Sequence, residues 1–203
     1  MTVFEYYMSG GPVMHPLLIC SVVALTVVVE RAILLRRSRV VPKGFAQLMF
    51  ELIRLRRWEA VTLLCQKRQC AAGRLGEVLV ANRGLSREAL KQRVEEAGRR
   101  EAAEFDRYLP FLAAIGTVAP LLGLLGTVGG MILTFEVLKS EGEGTAQNLA
   151  GGLSQALIAT YGGLVVAIPV VLAHRWLQST ADQRVIELEE VVLAAADLME
   201  PGP

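Results

Sequence analysis

Two stretches of this chain, Leu109–Phe135 and Thr145–His174, contain no Asp, Glu, Lys or Arg. Each exceeds the roughly 20 residues with which a helix crosses a bilayer. Both are rich in Gly, Ala, Thr and Pro, a composition that suits helices packed tightly against protein better than helices facing lipid all round. The chain reads as an integral membrane protein whose function lives between helices.

A third uncharged run, Tyr6–Val29, precedes Glu30-Arg31, and its apolar core extends from Leu17 to Val29. In hydrocarbon a helix is the simple way to satisfy the backbone of such a run. A cleavable signal peptide is the rival reading. The run lacks a basic leading region, and arginines rather than a small-residue cleavage site follow it. The expected fold is therefore all-α and polytopic: three transmembrane helices with long cytoplasmic helical extensions. The expected spans are 13–34, 109–135 and 149–174, separating an N-terminus at 1–12, a helical segment at 35–108, a link at 136–148 and a tail at 175–203.

Charge sets the expected orientation. Residues 31–108 hold 18 Lys and Arg against 9 Asp and Glu, whereas Glu5 is the one charged side chain before the first span. The link carries Glu136, Lys139, Glu141 and Glu143. By the positive-inside rule the N-terminus and the link face the periplasm, and 35–108 and the tail face the cytoplasm of a bacterial inner membrane. The basic segment has interspersed acids and lies between two anchors, so it points to anionic lipid and not to nucleic acid.

Cys20 falls within a span, and Cys65 and Cys70 lie five apart in the cytoplasmic segment, where thiols stay reduced. With two histidines only, His15 and His174, no zinc framework is formed. No metal or other cofactor is expected. No Gly-x-x-x-x-Gly-Lys-Ser/Thr pattern occurs, and the chain is not read as an enzyme.

Gly10-Gly11-Pro12 reads as a turn that starts the first span, with Phe4, Tyr6 and Tyr7 suited to the membrane interface. After the break at Pro42-Lys43-Gly44, two short amphipathic helices are predicted over 45–56 and 57–70. Their apolar faces are set by Leu48, Leu52 and Leu55, and by Trp58, Val61 and Leu64–Cys65. Ser86 with Glu88 reads as a helix start. Leu90, Val94, Ala97, Glu101, Phe105 and Tyr108 then follow at three- and four-residue steps, predicting one long helix that runs into the second span; a break at Pro110 is the alternative. Lys91–Glu95 and Arg100–Glu104 have same-face spacing. The tail's stripe of Leu177, Ala181, Val185, Leu188 and Val192 continues the third span to about Met199. Phe105 and Leu188 are candidate contacts between subunits, with packing of Phe105 inside its own subunit as the alternative.

In the second span Gly116, Pro120, Gly123, Thr127 and Gly130 recur at intervals of three or four, with Gly126 beside them. Leu121, Leu124, Leu125 and Val128 form the opposite face. The third span repeats the design with Gly152, Gln155, Ala159, Gly163 and Ala167. Tight packing without transport explains such faces too. Thr127 and Thr160 add hydroxyls at comparable depth in antiparallel helices, where each can bond its own helix or serve something passing between helices. No Asp, Glu, Lys, Arg or His lies well inside either span, so a proton path here needs a titrating carboxylate from a partner helix.

Ala119-Pro120-Leu121-Leu122-Gly123-Leu124-Leu125-Gly126-Thr127-Val128, followed by Gly130-Met131-Ile132, resembles the second-helix signature of the MotA/TolQ/ExbB proton-channel family. Gln155-Ala156-Leu157-Ile158-Ala159-Thr160, Gly163-Leu164 and Val166-Ala167-Ile168-Pro169 resemble its third-helix signature. Gly10-Gly11-Pro12, Pro16-Leu17-Leu18 and Glu30-Arg31 are similar to the first span of the shorter ExbB-like members. The resemblance implies a homo-oligomer, a pentamer, around the single-span helices of an ExbD/TolR-like partner whose membrane aspartate carries protons. It implies Thr127 and Thr160 on the proton path; from the residues themselves, a hydrated route along these two extends to Gln155. Gly116, Pro120, Gly123, Gly130, Gly163, Ala167 and Pro169 would pack the inner helices. It also implies that the proton motive force energises a TonB-like transducer in a cell-envelope or outer-membrane transport machine. The alternative function is a membrane scaffold that stabilises a partner complex without lining an ion path. Two positions depart from the family: Gln155 stands where ExbB and TolQ types commonly have glutamate, and Tyr161-Gly162 replaces the usual small residue and its neighbour.

Overall fold

The computed structural model is all-α and describes residues 3–141 and 146–199. In chain order the helices are α1 (Val3–Ser9), α2 (Met14–Leu34), α3 (Arg37–Val40), α4 (Phe45–Arg54), α5 (Trp58–Lys67), α6 (Ala71–Ala81), α7 (Arg87–Asp106), α8 (Leu109–Glu141) and α9 (Ala146–Asp197). Three helical stretches, in α2, α8 and α9, are long and apolar enough to cross a membrane. Glu143 of the expected link lies outside the described residues, as do residues 200–203 of the tail.

The chain forms two compact units. The apolar unit comprises Met1–Val29 and Tyr108–Arg175. Its core joins Leu17 of α2, Ala119 of α8 and Ala167 of α9, against which Val13, Met14, Leu122 and Val166 pack. Helix α2 buries Leu17, Ala24 and Val27 on one stripe and exposes Leu18, Ile19, Val22, Leu25 and Val29 on the other. His15 and Thr26 share that exposed stripe, and the Thr26 hydroxyl donates to the Val22 carbonyl at 2.9 Å. A stripe otherwise apolar is the face a helix presents to lipid or to another apolar surface.

The charged unit comprises Glu30–Arg107 and Trp176–Pro203. Helices α4 and α5 occupy the predicted segments, but α4 turns its other side inward. Phe45, Met49 and Ile53 are buried, whereas Leu48 and Leu55 are exposed. Both sets are apolar at helical spacing; α4 packs chiefly on α5, and its Met49 also meets α6, a helix that periodicity did not find. Gly73 and Gly76 look like helix breakers, yet they let α6 approach α5 closely. A Cβ on Gly73 would lie 2.9 Å from the Cys65 carbonyl, and one on Gly76 would lie 2.6 Å from the Cys65 sulfur and 3.4 Å from that of Met49.

Ser86 caps α7, its hydroxyl accepting from the Ala89 N–H at 3.4 Å. The buried stripe Leu90, Val94 and Phe105 is the expected one. The ion pairs are not those expected from spacing: Arg93 meets Glu96 at 3.5 Å, and Arg74 of α6 reaches Glu101 with two nitrogens at 2.6 and 2.5 Å.

The single long helix predicted from Ser86 into the second span is corrected to two helices. Helix α7 stops at Asp106 and α8 starts at Leu109. Pro110 supplies no N–H to the Asp106 carbonyl, and its ring would press on that carbonyl in a continuous helix. The chain turns instead through Tyr108, at φ 69°. Pro110 then sits in the first turn of α8, where a missing N–H is harmless.

Two arginines serve helix ends created in this unit. The Arg31 Nη1 donates to the Glu104 carbonyl in the last turn of α7 at 2.7 Å. The Arg184 Nε donates to the Leu35 carbonyl, just past α2, at 3.1 Å. Each supplies a cation and a donor where a helix leaves carbonyls unsatisfied. In the tail, Leu177, Ala181, Leu188 and Val192 are buried as their spacing predicts. Phe105 and Leu188 are each 2% exposed within their own subunit. Phe105 thus packs inside its own subunit, the alternative reading, and Leu188 is likewise a core residue, which corrects its expected place between subunits.

Candidate functional site

Helices α8 and α9 approach through glycine in antiparallel register. A Cβ on Gly116 would stand 2.8 Å from a Val171 methyl. One on Gly123 would stand 3.0 Å from both the Ala159 carbonyl and the Thr160 Cα, and one on Gly163 would stand 2.7 Å from the Ala119 carbonyl. Farther along, Gly126 faces Ala159, Gly130 faces Ala156 at 3.2 Å, and Thr134 presses on Gly152. At Gly116, Gly123, Gly126 and Gly163 no side chain larger than hydrogen fits without displacing a neighbour, and the small-residue stripe is what permits backbone contact.

Of the expected packing residues, Gly116, Gly123, Gly130, Gly163 and Ala167 are buried and Pro120 is half-buried. Pro120 leaves the Gly116 carbonyl without its usual i+4 N–H. Pro169 is exposed on α9, two residues from buried Ala167, so it takes no part in the α8–α9 crossing of the subunit. Gly126 and Ala159 belong at its centre. The leucine face opposite, Leu121, Leu124 and Leu125 with Val128, is exposed.

The two threonines lie at nearly one level. Gly126 faces Ala159, and Thr127 and Thr160 each follow by one residue in opposite directions, which separates them along the axis by about 3 Å at 1.5 Å per residue. Their hydroxyls behave differently. The Thr127 Oγ1 donates to its own helix at the Leu124 carbonyl, 2.7 Å away. The Thr160 Oγ1 reaches across to the Gly123 carbonyl of α8 at 3.3 Å, long for a hydroxyl bond. Both side chains are half-buried. Each oxygen keeps acceptor capacity beyond the bond it donates.

Gln155 is turned toward the start of the chain. Its amide nitrogen occupies the space that a Cβ on Gly11 would need, and Gly11 sits at φ 73° in the turn between α1 and α2. Met14 lies 3.1 Å from the corresponding position of Gly162, and the rings of Tyr6 and Tyr161 are 6.3 Å apart. The N-terminal turn thus packs along α9, and Tyr161 has a partner there. An open groove of about 380 Å³ adjoins the crossing, lined by Gly130, Leu133, Thr134, Val137, Gly151, Gly152 and Gln155. Thr134 is a residue that sequence reading missed; seven residues beyond Thr127, it continues the same face, and its hydroxyl donates to the Gly130 carbonyl at 2.8 Å.

Comparison with known proteins agrees with this architecture. The model of the MotA/TolQ/ExbB proton channel family matches residues 65–190, which include the whole α8–α9 crossing. A candidate biopolymer transport protein of Synechocystis sp., ExbB-like 1, is 34% identical over 188 residues, covering 89% of this chain and 72% of the relative. A second one from the same organism, ExbB-like 3, is 34% identical over 173 residues, 81% of this chain and 80% of its own. The Tol-Pal system protein TolQ of Haemophilus influenzae is 42% identical over 78 residues, 38% of this chain and 34% of TolQ.

Proposed function

Because this chain belongs to the MotA/TolQ/ExbB proton channel family, a family of membrane channels and scaffolds and not of enzymes, we propose that it is the ring-forming subunit of a proton-driven machine in the bacterial inner membrane. Five copies enclose the membrane helices of an ExbD/TolR-like partner. The partner's membrane aspartate carries the proton past Thr127 and Thr160, and the flux energises a TonB-like transducer serving envelope or outer-membrane transport. The N-terminus faces the periplasm, and the charged unit faces the cytoplasm beside anionic lipid.

The pair of hydroxyls beside a crossing that has no Asp, Glu, Lys or Arg of its own carries this reading. A carboxyl entering from a partner meets acceptors when protonated, and meets donors when ionised if a threonine releases its carbonyl. The long Thr160 bond is the easier one to release. Burial among leucines and glycines disfavours the charged carboxylate and hydroxyl donors favour it, so the two effects oppose each other and keep the group able to titrate. Gln155, held at Gly11, is the lesser contributor to this path.

Proton flux in liposomes tests the reading. The ring with its partner is expected to conduct; the ring alone, and the ring with the partner's membrane Asp changed to Asn, are expected not to. Equal flux in all three defeats the borrowed-carboxylate mechanism. Undiminished work by the machine with the Asn partner supports the scaffold reading instead.

A further inference from the structure

The charged unit presents two exposed helical faces of opposite character. On the α4–α5 hairpin, Leu48, Leu55 (59% exposed) and Leu63 (65%) project to solvent. Residues 45–68 around them carry five Lys and Arg against two acids, and Arg54, Arg56 and Arg57 cluster at the turn. The other face is on α9. Ile186 (56% exposed) and Leu193 lie two turns apart with Glu189 and Glu190 between them. Residues 176–199 carry five acids against one base, and that base, Arg184, is committed to Leu35 and Glu187. Among the described residues no ion pair joins one face to the other within the subunit.

We propose that these faces dock on each other between copies of this chain, the α4–α5 hairpin of one subunit lying on the α9 face of the next. The occupant is a second copy because each face carries the complement the other lacks: leucines ringed by arginines on one, an apolar pair ringed by glutamates on the other. A basic face meeting an acidic one is heterologous, not self-matching, and a repeated heterologous contact closes into a ring when its rotation permits. Opposite charge across the contact fixes its direction and penalises the like-with-like pairing of hairpin on hairpin. The inference rests on the homo-oligomeric reading above and says which surfaces build the oligomer outside the α8–α9 crossing.

The test is a charge swap read by native mass spectrometry of the full-length detergent-solubilised protein. Arg54→Glu with Arg57→Glu, and separately Glu189→Arg with Glu190→Arg, are each expected to lower the oligomer fraction several-fold, while all four changes together restore it. Leu55→Cys combined with Leu193→Cys is expected to give cross-linked dimers and higher species with a short bifunctional maleimide, and neither single cysteine is. All the changes are on exposed side chains, and circular dichroism verifies the fold of each variant. Full oligomer in both charge-reversed pairs, or no rescue in the fourfold variant, overturns the proposal. So does loss of the Leu55–Leu193 cross-link when a purified partner protein is added and takes the acidic face. A monomeric wild type would instead defeat the oligomeric reading itself, before any variant is compared.

Discussion

Arg31 and Glu104 are joined through the backbone: the guanidinium, 1% exposed, donates to the Glu104 carbonyl at 2.7 Å. The bond exists because Pro110 forbids α7 to continue, which strands the carbonyls of its last turn. Glu30, its sequence neighbour, supplies a carboxylate 3.2 Å from the same guanidinium. Arg31→Ala is expected to destabilise the protein by roughly 1–3 kcal/mol, the range for a partly buried acceptor left unpaired. Arg31→Lys should recover part of that, since a single ammonium reaches the carbonyl without the fork. Glu104→Gln should be nearly silent, because the bond uses the backbone and the Glu104 side chain makes an exposed 3.5 Å pair with Arg107 and a longer-range attraction to Arg74, both weak at a solvated surface. Thermal unfolding of the three variants in one detergent measures the ranking.

Glycines in this chain divide by what surrounds them, and the same substitution should move stability in opposite directions. Gly163→Ala puts a methyl 2.7 Å from the Ala119 carbonyl and 3.1 Å from the Gly123 Cα, both backbone atoms that cannot swing aside. It is expected to cost about 1–3 kcal/mol as α8 and α9 are forced apart. Gly98, within α7, has nothing within 4 Å of its added Cβ. Gly98→Ala should stabilise by about 0.5–1 kcal/mol through helix propensity. Equal and small effects at both positions would show that the crossing tolerates separation.

The sequence made the membrane helices legible because uncharged runs and glycine stripes are one-dimensional signals. It did not make the register legible. Thr127 and Thr160 sit on equivalent stripes, and which hydroxyl crosses to the other helix depends on an offset in level of about two residues' rise that spacing does not encode. Helix α4 shows the same limit, since Leu48–Leu52–Leu55 and Phe45–Met49–Ile53 are both plausible inner faces. Tertiary packing on α5, with Met49 also meeting α6, decides between them, and α6 was hidden by the two glycines that let it approach α5. Tyr108 at positive φ was likewise invisible, although Pro110 two residues later marked the neighbourhood of the break.

Burial, with Glu77 and Cys70 nearby, pushes the Cys65 thiol from its ordinary 9.0 up to about 11. A raised folded-state value means that folding favours the protonated thiol. Its contribution to stability is therefore complete below pH 9 and is lost as pH rises through about 11. The wild type is expected to be more stable than Cys65→Ala at neutral pH, where the thiol fills its site against Gly76. That margin should shrink between pH 9 and 11. Melting curves of both proteins across this window check the sign, and a margin that widens with pH would contradict it. In the folded protein at pH 8, maleimide should modify Cys65 far more slowly than after denaturation, because little thiolate forms and the sulfur is enclosed.

Thr160 and Thr127 should separate when stability and proton flux are measured on the same variants. The Thr160 hydroxyl ties α9 to α8 through a 3.3 Å bond to the Gly123 carbonyl, whereas the Thr127 hydroxyl bonds its own helix at 2.7 Å. Thr160→Val removes a link between helices and is expected to lower stability by about 0.6 kcal/mol, the mean for such bonds in membrane proteins. Thr127→Val removes only a local bond, and its effect on melting should be smaller. Both substitutions keep the branched shape, so loss of packing does not explain loss of function. With the partner present, each single change should reduce proton flux, and the double change should abolish it. Thr160→Ser and Thr127→Ser, which keep the hydroxyl, should retain most of it. If Thr160→Val lowers stability but leaves flux intact, its hydroxyl is a helix fastener and the proton path runs by Thr127 alone. If neither valine variant changes flux, the path lies elsewhere on the ring.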